Sequence, residues 1–268
     1  MTASCVVQRL PVSVVIPCYR CAETLPRAVA SVLAQTAQAA EIVLVDDASG
    51  DDTLACMQAL QQAHPAGFVR LVSAVGNGGA GEARNLGWAD ATQAWIAFLD
   101  ADDVWHPEKL ARQFDWLQAH PQVVASVHRS VQVQEVALPA VLPAWEISLS
   151  ALLFANMIPT RSVMLRRDLS QRFPRGWRYA EDYMLWLDIV ASGGRVAMLD
   201  VPMAFSFRPE FSAGGLSARL WKMESGELAC YNNLRRQGRI GWPLWCAASA
   251  WSLLRYFKRL LQTLRGRA

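Results

Sequence analysis

Apolar and polar residues change along the first 120 positions in blocks that predict strands and helices in turn. Short apolar runs, the first of them rich in β-branched residues, indicate four strands, and apolar residues at helical spacing follow each of them. The predicted strands are 12–16, 41–45, 68–72 and 95–99, and the predicted helices are 24–33, 51–60, 81–92 and 107–120. Continuous apolar strands that alternate with helices are typical of a parallel sheet covered by helices.

The alternation becomes less regular after residue 122. Strand-like stretches are predicted at 123–136, 162–165 and 195–207, the last interrupted by Pro202, with helices at 147–156 and 178–190 and a loop at 138–144. No linker rich in Gly, Ser or Pro separates two domains. We therefore expect the second half to complete the same sheet and to build one wall of the functional site.

The C-terminal region differs in charge and aromatic content. Residues 240–254 carry no charge and include three tryptophans, and five basic side chains follow at near-helical spacing. A membrane span needs about 20 apolar residues, so this run is too short. We predict a body over residues 1–227 and a basic, Trp-rich helical tail over 228–268. Two interpretations of the tail stay open: an amphipathic helix in a membrane interface, or a helix that packs its apolar side on the body.

Composition narrows the class of protein. The hydrophobic fraction of 53% in 268 residues excludes general disorder. The formal net charge of +3 hides an asymmetry, because 228–268 contain eight basic and no acidic residues, whereas 1–227 contain 18 basic and 23 acidic residues. An acidic body disfavours nucleic acid as a partner, and a basic tail favours an anionic lipid surface.

Cysteine usage and the N-terminal sequence bear on location. Cys18 and Cys21 form a lone C-x-x-C without a second pair, so we interpret them as small residues at a strand end. Residues 1–10 lack the layout of a signal peptide. We therefore expect a cytoplasmic protein, attached peripherally to the inner face of the cell membrane if the tail contacts lipid.

A cluster of carboxylates follows the fourth predicted strand. Asp100, Asp102 and Asp103 fall within four residues and repel one another unless a cation lies among them. Hard oxygen ligands suit Mg²⁺ or Mn²⁺, which often bind one or two carboxylates together with substrate phosphates. The simpler alternative is a solvated acidic turn that caps the next helix.

Other polar groups follow the second and third strands. Asp46 and Asp47 could accept a hydrogen bond from a base or bridge two ribose hydroxyls, or they could cap the next helix. The loop 76–81 precedes Arg84, and glycines with an arginine suit a diphosphate. The loop matches the G-x-G-x-x-G motif of NAD-binding proteins, but in those proteins the motif follows the first strand. Here it follows the third strand, so a NAD site is not favoured.

Glu181 and Asp182 stand at the start of a predicted helix. A carboxylate at a helix N-terminus stays ionised, which suits a base better than an acid, although simple capping is the alternative. In open α/β sheets ligands bind at the carboxyl ends of the strands. The combination of these groups, in this order, therefore predicts one shared cleft.

In order and spacing, these motifs resemble the family-2 glycosyltransferases, which have the GT-A fold. The resemblance covers residues 11–208 and is carried by PVSVVIPCYRCAETLPRAVASVLAQT, EIVLVDDASGDDT, NGGAGEARNLGWADA, WIAFLDADDVWHPEKL and YAEDYMLWLDIV. It implies an α/β, Rossmann-like fold with a mostly parallel sheet. It also implies inverting, metal-dependent transfer of a sugar from a nucleoside-diphosphate sugar, with a UDP-sugar favoured. The expected acceptor is a hydroxyl of a sugar or lipid-linked sugar in cell-surface polysaccharide or glycolipid biosynthesis.

The resemblance also implies a role for each matched residue. Asp182 would be the catalytic base with Glu181 as its partner in the pair. Asp102, with Asp100 beside it, would hold Mg²⁺ or Mn²⁺. The nucleotide-sugar would be held by Pro17, Tyr19, Asp46, Asp47, Gly79, Arg84, Asp100 and Arg208.

The chain departs from the family pattern at one point. Many members carry a histidine after the last core strand, but here Arg208 is followed by Pro209 and Glu210. A third metal ligand from the protein is therefore not expected there, and Arg208 or water would serve the diphosphate. Two alternatives are a nucleotide-sugar-binding protein, which would not need the Glu181–Asp182 pair, and a nucleotidyltransferase. The latter would carry a basic Gly-rich loop after the first strand, where this chain has CYRCAET.

Overall fold

A computed structural model describes residues 9–134, 136–207 and 220–265. The strands are β1 Arg9–Cys18, β2 Gln38–Asp46, β3 Val69–Ser73, β4 Trp95–Phe98, β5 Asp103–Trp105, β6 Ala125–Gln132, β7 Ala144–Glu146, β8 Met164–Arg166 and β9 Val196–Ser206. The helices are α1 Leu25–Leu33, α2 Thr53–Gln62, α3 Ala80–Asp90, α4 Lys109–Ala119, α5 Leu149–Phe154, α6 Glu181–Ala191, α7 Leu220–Arg236 and α8 Trp242–Arg265. A 3₁₀ turn at Thr160–Ser162, here called the 160–162 turn, precedes β8.

The strands form one large mixed sheet in the order β3-β2-β1-β4-β8-β6-β9-β5, with β7 paired to β9. β1 pairs in parallel with β2 and β4, and β2 pairs in parallel with β3, as the short apolar runs predict. The second half completes this sheet, as predicted, but β8 is antiparallel to both β4 and β6. The parallel order therefore holds for the first half, and the second half brings antiparallel strands into the sheet.

Two strands differ from the predictions. β5 was not predicted; it begins at the last residue of the predicted acidic turn, and residues 103–105 pair with the end of β9. Pro202 does not interrupt β9; it pairs with Arg129, where the register between β6 and β9 shifts. A register shift lets a strand accommodate a residue that cannot donate to the ladder.

The core lies on both faces of the sheet because successive strand residues point to opposite sides. On one face, Val15 and Phe98 pack with α3 and α6. On the other face, Val14 and Ile16 pack with α1 and α4. The carboxyl ends of β1, β2 and β4 thus form an edge between two helical layers.

The predicted tail begins inside a helix. The boundary at 227 and 228 falls in the middle of α7, which runs from Leu220 to Arg236 and contacts α6. Cys230, Leu234 and Ala248 are buried in the same core cluster as α6. The packed part of the C-terminal region therefore starts at α7, and one side of α8 packs on the body.

Buried ion pairs join α8 to α7. Glu224, which is fully buried, accepts hydrogen bonds from Ser252 (2.7 Å) and Arg259 (3.2 Å), and Glu227 pairs with Arg255. Burial raises the pKa of Glu224. These contacts use two of the eight basic residues of the tail and fix which side of α8 faces the body. Within the described ranges, no helix combines the length and apolar character needed to cross a bilayer.

Gly87 allows α3 to approach the sheet closely. A Cβ at this position would lie 2.4 Å from Val15 Cγ1 and 2.9 Å from Val45 Cγ2. We expect Gly87→Ala to lower the free energy of unfolding by up to about 2 kcal/mol, because overpacking costs about 1–3 kcal/mol and the helix gains about 1 kcal/mol. Urea denaturation measures the change. Gly76→Ala is the control, since nothing lies within 4 Å of its Cβ, and equal midpoints for both variants would contradict the close contact.

Candidate active site

Acidic residues follow β2 and β4 at the carboxyl edge of the sheet. Asp46 pairs with Cys18 at the ends of β2 and β1, and the backbone N–H of Asp47 donates to the carbonyl of Cys18 at 2.8 Å. Asp100 lies two residues beyond β4, which pairs with β1 on its other side. Parallel pairing therefore brings both carboxylate groups to one edge, as the strand pattern predicts.

Asp47 holds the glycine-rich loop in place. Its carboxylate accepts hydrogen bonds from the backbone N–H groups of Gly78 and Gly79, both at 2.8 Å, and from Asn77 Nδ2 at 3.0 Å. Gly79 has a φ of 92°, a conformation that favours glycine, and occupies the N-cap position of α3. Asp47 is only 3% exposed. Three donors on one buried carboxylate fix the loop that begins α3.

The glycine-rich loop is also tied to the segment before α6. Arg178 donates to Asn77 Oδ1 at 2.8 Å and to the Asn77 carbonyl at 2.7 Å. Asn77 in turn donates to Asp47. A chain of hydrogen bonds thus links the end of β2 to the start of α6, although these residues are far apart in sequence.

Arg84 is a buried cation surrounded by carboxylates. Its guanidinium pairs with Asp100 Oδ1 at 2.5 Å, and the residue is 6% exposed. Burial alone would lower the pKa of Arg84, but the carboxylates of Asp100, Glu181 and Asp182 raise it above its ordinary value. A buried charge is retained when it is paired. Arg84 therefore brings the acidic turn after β4 and the acidic start of α6 together.

The start of α6 is held in an unusual conformation by its neighbours. Ala180, at the N-cap position, has a left-handed φ of 56°, and its carbonyl accepts from Cys230 Sγ of α7 at 3.6 Å. Glu181 packs against the start of α3, where a Cβ on Gly81 would lie 2.7 Å from Glu181 Cγ. Burial raises the pKa of Glu181, and the neighbouring charge of Asp182 raises it further. The proton affinity of Glu181 is thus increased beside a second, less buried carboxylate.

Asp182 is fixed through both carboxylate oxygens. Oδ2 accepts from Thr160 Oγ1 at 3.0 Å, and Oδ1 accepts from the backbone N–H of Tyr183 at 2.7 Å. The half-buried side chain lies at the N-terminus of α6, where the helix dipole favours a negative charge. Asp182 is therefore an oriented carboxylate suited to accept a proton.

The acidic turn contains a third carboxylate that points inward. Asp103 is 2% exposed and pairs with Arg161 Nη1 at 3.0 Å. Burial and the charge of Asp100 raise the pKa of Asp103 to about 7, against the effect of Arg161. Asp102 is half-buried, and its carbonyl accepts from Arg27 at 3.3 Å. Asp100 and Asp102 are thus the more accessible carboxylates of the turn.

The structure brings part of the predicted set together. Electrostatic interactions join Arg84, Asp100, Glu181 and Asp182. Pro17 and Tyr19 lie at the end of β1, with Tyr19 47% exposed and stacked under the Arg20 guanidinium.

Two further predicted residues have no contact with this set among the described interactions. Asp46 accepts from Ser49 Oγ at 2.5 Å. Arg208 lies outside the described residues. Among the residues that are described, no group of three or more metal-ligating side chains is arranged to hold an ion.

Sequence reasoning missed several residues of this site. Thr160, Arg161 and Arg178 contact the predicted carboxylates or their loop, but none belongs to a recognisable motif. The sequence marks Asp103 only as a member of the acidic cluster or as a helix cap. Its contact with Arg161 joins positions 58 residues apart, and no local pattern could have signalled that contact.

Comparison with known proteins gives a consistent result. Residues 13–162 match the model of "Glycosyl transferase family 2". The succinoglycan biosynthesis protein ExoO of Rhizobium meliloti is 34% identical over an alignment of 206 positions, and the match covers 70% of this chain and 58% of the relative. The chain therefore spans less than two thirds of that relative's length.

Two further matches are a relative in sequence and a solved structure. The UDP-Glc:alpha-D-GlcNAc-diphosphoundecaprenol beta-1,3-glucosyltransferase WfaP of Escherichia coli is 29% identical over 184 residues, covering 68% of this chain and 71% of the relative. The mannosyltransferase PcManGT of Pyrobaculum calidifontis, solved with GDP-Man and Mn²⁺, superposes with a TM-score of 0.67 at 21% identity. That match covers 96% of this chain and 76% of the mannosyltransferase.

The contacts of Asp47 lead to a prediction about the glycine-rich loop. We expect Asp47→Asn to lower the free energy of unfolding by about 1.5–3 kcal/mol, because a charged acceptor of three hydrogen bonds is lost. The amides of Gly78 and Gly79 should exchange faster with deuterium. Asp52→Asn is the control, because Asp52 is exposed and makes no side-chain cap. The same stability and exchange in both variants would show that Asp47 does not hold the loop.

Proposed function

The chain belongs to glycosyl transferase family 2, and on that premise we propose that it transfers a sugar from a nucleoside-diphosphate sugar to an acceptor hydroxyl. One observation carries the proposal: Arg84 is paired with Asp100 and interacts with Glu181 and Asp182 in one electrostatic cluster. Four charged groups from three parts of the chain thus meet at the ligand-binding edge of an α/β sheet. Such a cluster suits a reaction in which a hydroxyl gives up its proton and negative charge develops on a departing diphosphate.

We assign the role of catalytic base to Asp182. Its carboxylate is oriented by Thr160 and by the start of α6. Asp182 takes the proton of the acceptor hydroxyl while the acceptor oxygen forms a bond to the anomeric carbon. The bond from that carbon to the nucleoside diphosphate breaks on the opposite side, so the configuration inverts. General base catalysis of this kind contributes about 10²–10⁴-fold to a rate.

The donor is expected to lie along the edge from β1 to β4. We propose that the nucleobase of the donor is held by four residues at the ends of β1 and β2: Pro17, Tyr19, Asp46 and Asp47. Because the carboxylate of Asp47 already accepts three hydrogen bonds, its contribution includes holding the loop of Gly79 against the nucleotide. Asp100 is proposed to lie near the ribose, with Arg84 behind it. A UDP-sugar is the favoured donor, in line with the donor in the name of the E. coli relative.

The acidic turn fits a divalent cation. Asp102 and Asp100 offer hard oxygen ligands, and two carboxylates with phosphate oxygens satisfy Mg²⁺ or Mn²⁺ without a third side chain. Asp103 is buried and engaged with Arg161, so it is not a ligand in this assignment. When bound, the ion neutralises charge on the departing diphosphate. The Mn²⁺ of the archaeal mannosyltransferase supports this choice of metal class.

We propose that the acceptor is a sugar or a lipid-linked sugar in polysaccharide or glycolipid synthesis. The name of the E. coli relative describes a diphosphoundecaprenol-linked acceptor, and that of the R. meliloti relative describes succinoglycan synthesis. An acceptor on a lipid carrier places the enzyme at a membrane surface. We place it at the cytoplasmic face, where nucleotide-sugars are used.

The outer side of α8 supports contact with that membrane. Leu254, Phe257 and Leu261 are each more than half exposed, and Trp242 and Trp251 lie on the same helix, 60% and 46% exposed. Leu254, Phe257 and Leu261 define the outer side, which is called the α8 apolar face. Trp251 also contacts the body, because its Nε1 donates to the Phe154 carbonyl of α5 at 3.0 Å. Tryptophan is enriched at membrane interfaces, and an apolar patch of this kind marks an interaction surface.

The charges around the α8 apolar face favour an anionic surface. Among the side chains of α7 and α8 that the structure describes, the exposed charged ones are all basic: Lys222, Arg236 and Lys258. Both acids of these helices, Glu224 and Glu227, are paired with arginines between the helices. Lys258 lies one helical turn from Leu254 and from Leu261, and an exposed apolar side with a basic residue beside it is the pattern of an interfacial helix.

Substitution of the proposed base tests the reaction. We expect Asp182→Asn to lower sugar transfer by about 10²–10⁴-fold, while calorimetry shows unchanged binding of UDP with Mn²⁺. Asp102→Ala should instead weaken binding of UDP with Mn²⁺ at least about tenfold, or about 1.4 kcal/mol. Asp188→Asn, two turns further along α6, is the matched control and should keep wild-type transfer.

Two results would contradict these assignments. Wild-type turnover in Asp182→Asn would remove the base from this residue. Unchanged affinity in Asp102→Ala would remove the metal from the acidic turn.

A charge on the α8 apolar face tests the membrane contact. We expect Leu254→Glu to weaken sedimentation with vesicles of phosphatidylcholine and phosphatidylglycerol by about tenfold or more, since burial of a leucine contributes about 1.5–3 kcal/mol. Leu54→Glu, on an exposed leucine of α2, is the matched control and should bind as the wild type does. Equal binding of both variants, or no binding of the wild type, would contradict the proposal.

A further inference from the structure

The 160–162 turn lies between the two acidic groups of the proposed reaction. Thr160 contacts Asp182 at the start of α6, and Arg161 contacts Asp103 next to the proposed metal ligands. Asp182 and Asp103 belong to elements separated by nearly 80 positions in the chain. Two consecutive residues therefore touch both ends of the site.

Thr160 is placed to orient Asp182. Its hydroxyl donates to Asp182 Oδ2 at 3.0 Å, and the residue is 6% exposed. Since Tyr183 N–H engages Oδ1 at 2.7 Å, the hydroxyl of Thr160 determines where the second oxygen lies. Loss of that bond would free the carboxylate to rotate without removing it.

Arg161 is placed to orient the acidic turn. Its Nη1 donates to Asp103 Oδ2 at 3.0 Å and its Nε donates to Ser130 Oγ at 2.6 Å. The two bonds use the fixed fork of the guanidinium, which a lysine ammonium does not reproduce. Asp103 follows Asp102 directly, so its position limits where the Asp102 backbone can lie.

The backbone of the turn is itself anchored to the sheet and to α4. Trp105 Nε1 donates to the carbonyl of Arg161 at 2.8 Å, and Gln113 Nε2 donates to the carbonyl of Ser162 at 3.0 Å. The backbone N–H of Phe98 donates to the Val163 carbonyl at 3.3 Å. A support with little freedom of its own can hold two carboxylate groups at a fixed separation.

We propose that the 160–162 turn is a positioning element of the active site, in which Thr160 orients the base Asp182 and Arg161 orients the acidic turn that binds the donor diphosphate and its metal. This inference rests on the proposed function, because it assigns partners to the base and the metal ligands named there. Neither residue touches the reacting atoms. Each acts through the carboxylate that it contacts.

The role of Thr160 is tested by one variant that removes its hydroxyl and a second variant that keeps it. We expect Thr160→Val to lower kcat by about 10- to 100-fold with the donor KM changed less than about twofold, because a misplaced base affects the chemical step alone. Thr160→Ser keeps the hydroxyl and should recover kcat to within about threefold of the wild type. Donor cleavage with water as acceptor is measured in parallel, so the test does not depend on the acceptor used.

The Arg161 half predicts the opposite kinetic pattern. We expect Arg161→Lys to raise the donor KM by about tenfold with kcat within about threefold of the wild type, because the metal ligands and not the base are displaced. Ser130→Ala removes only the second anchor of the guanidinium and should shift the donor KM in the same direction by a smaller factor. This milder variant keeps the test decisive if Arg161→Lys does not fold.

Thr92→Val is the matched control for a loss of stability. Thr92 Oγ1 also donates to a buried carboxylate, Glu41 Oε1 at 2.9 Å, but at the amino end of β4, away from the site. We expect this variant to unfold at lower urea with unchanged kcat and KM. Equal losses of kcat in Thr92→Val and Thr160→Val would show a merely structural effect and overturn the proposal.

Other outcomes separate this proposal from the proposed function. Unchanged kcat in Thr160→Val, with Asp182→Asn inactive, would overturn the positioning role and leave the base assignment intact. Wild-type turnover in Asp182→Asn would overturn both. A crystal structure of Thr160→Val in which Asp182 keeps its orientation would overturn the Thr160 half independently of any activity.

Discussion

The carboxylates at the carboxyl edge of this sheet can lie close together because two arginines offset their negative charge. Asp100, Asp103, Glu181 and Asp182 lie within electrostatic reach of one another, and carboxylates in partly buried surroundings repel strongly. Arg84 and Arg161 offset this repulsion, one paired with Asp100 and the other with Asp103. Without these cations the same carboxylates would protonate or separate. The carboxylates of the candidate site are thus held in place by two arginines.

Much of this arrangement could be predicted from sequence because it depends on strand order. The four short apolar runs predict parallel strands, and parallel strands bring the loops at their carboxyl ends to one edge of the sheet. Asp47 and Asp100 were placed correctly on that basis. The family resemblance added Asp182, whose position depends on α6 and not on a strand. The family itself and the GT-A fold were also predicted correctly.

The parts that could not be predicted depend on contacts between distant segments. β5 has three residues and is a strand only because β9 pairs with it. Arg161 and Thr160 stand in a short stretch without periodicity, so nothing local indicates their carboxylate partners. In α8 both sides are apolar, and the side that packs on the body carries the small residues Ala248 and Ser252. Hydrophobicity alone would have chosen Leu254 and Phe257 for the core.

α7 contacts both the acidic start of α6 and α8. Cys230 supports the carbonyl of Ala180 just before the paired acids, and Glu224 and Glu227 hold α8. All three residues lie within two turns of one helix, which is a rigid support. The carboxylates at the start of α6 are therefore held at a fixed distance from α8, because both are anchored on the same short stretch of α7. A substitution that shifts α7 along its own axis would displace the start of α6 and α8 together.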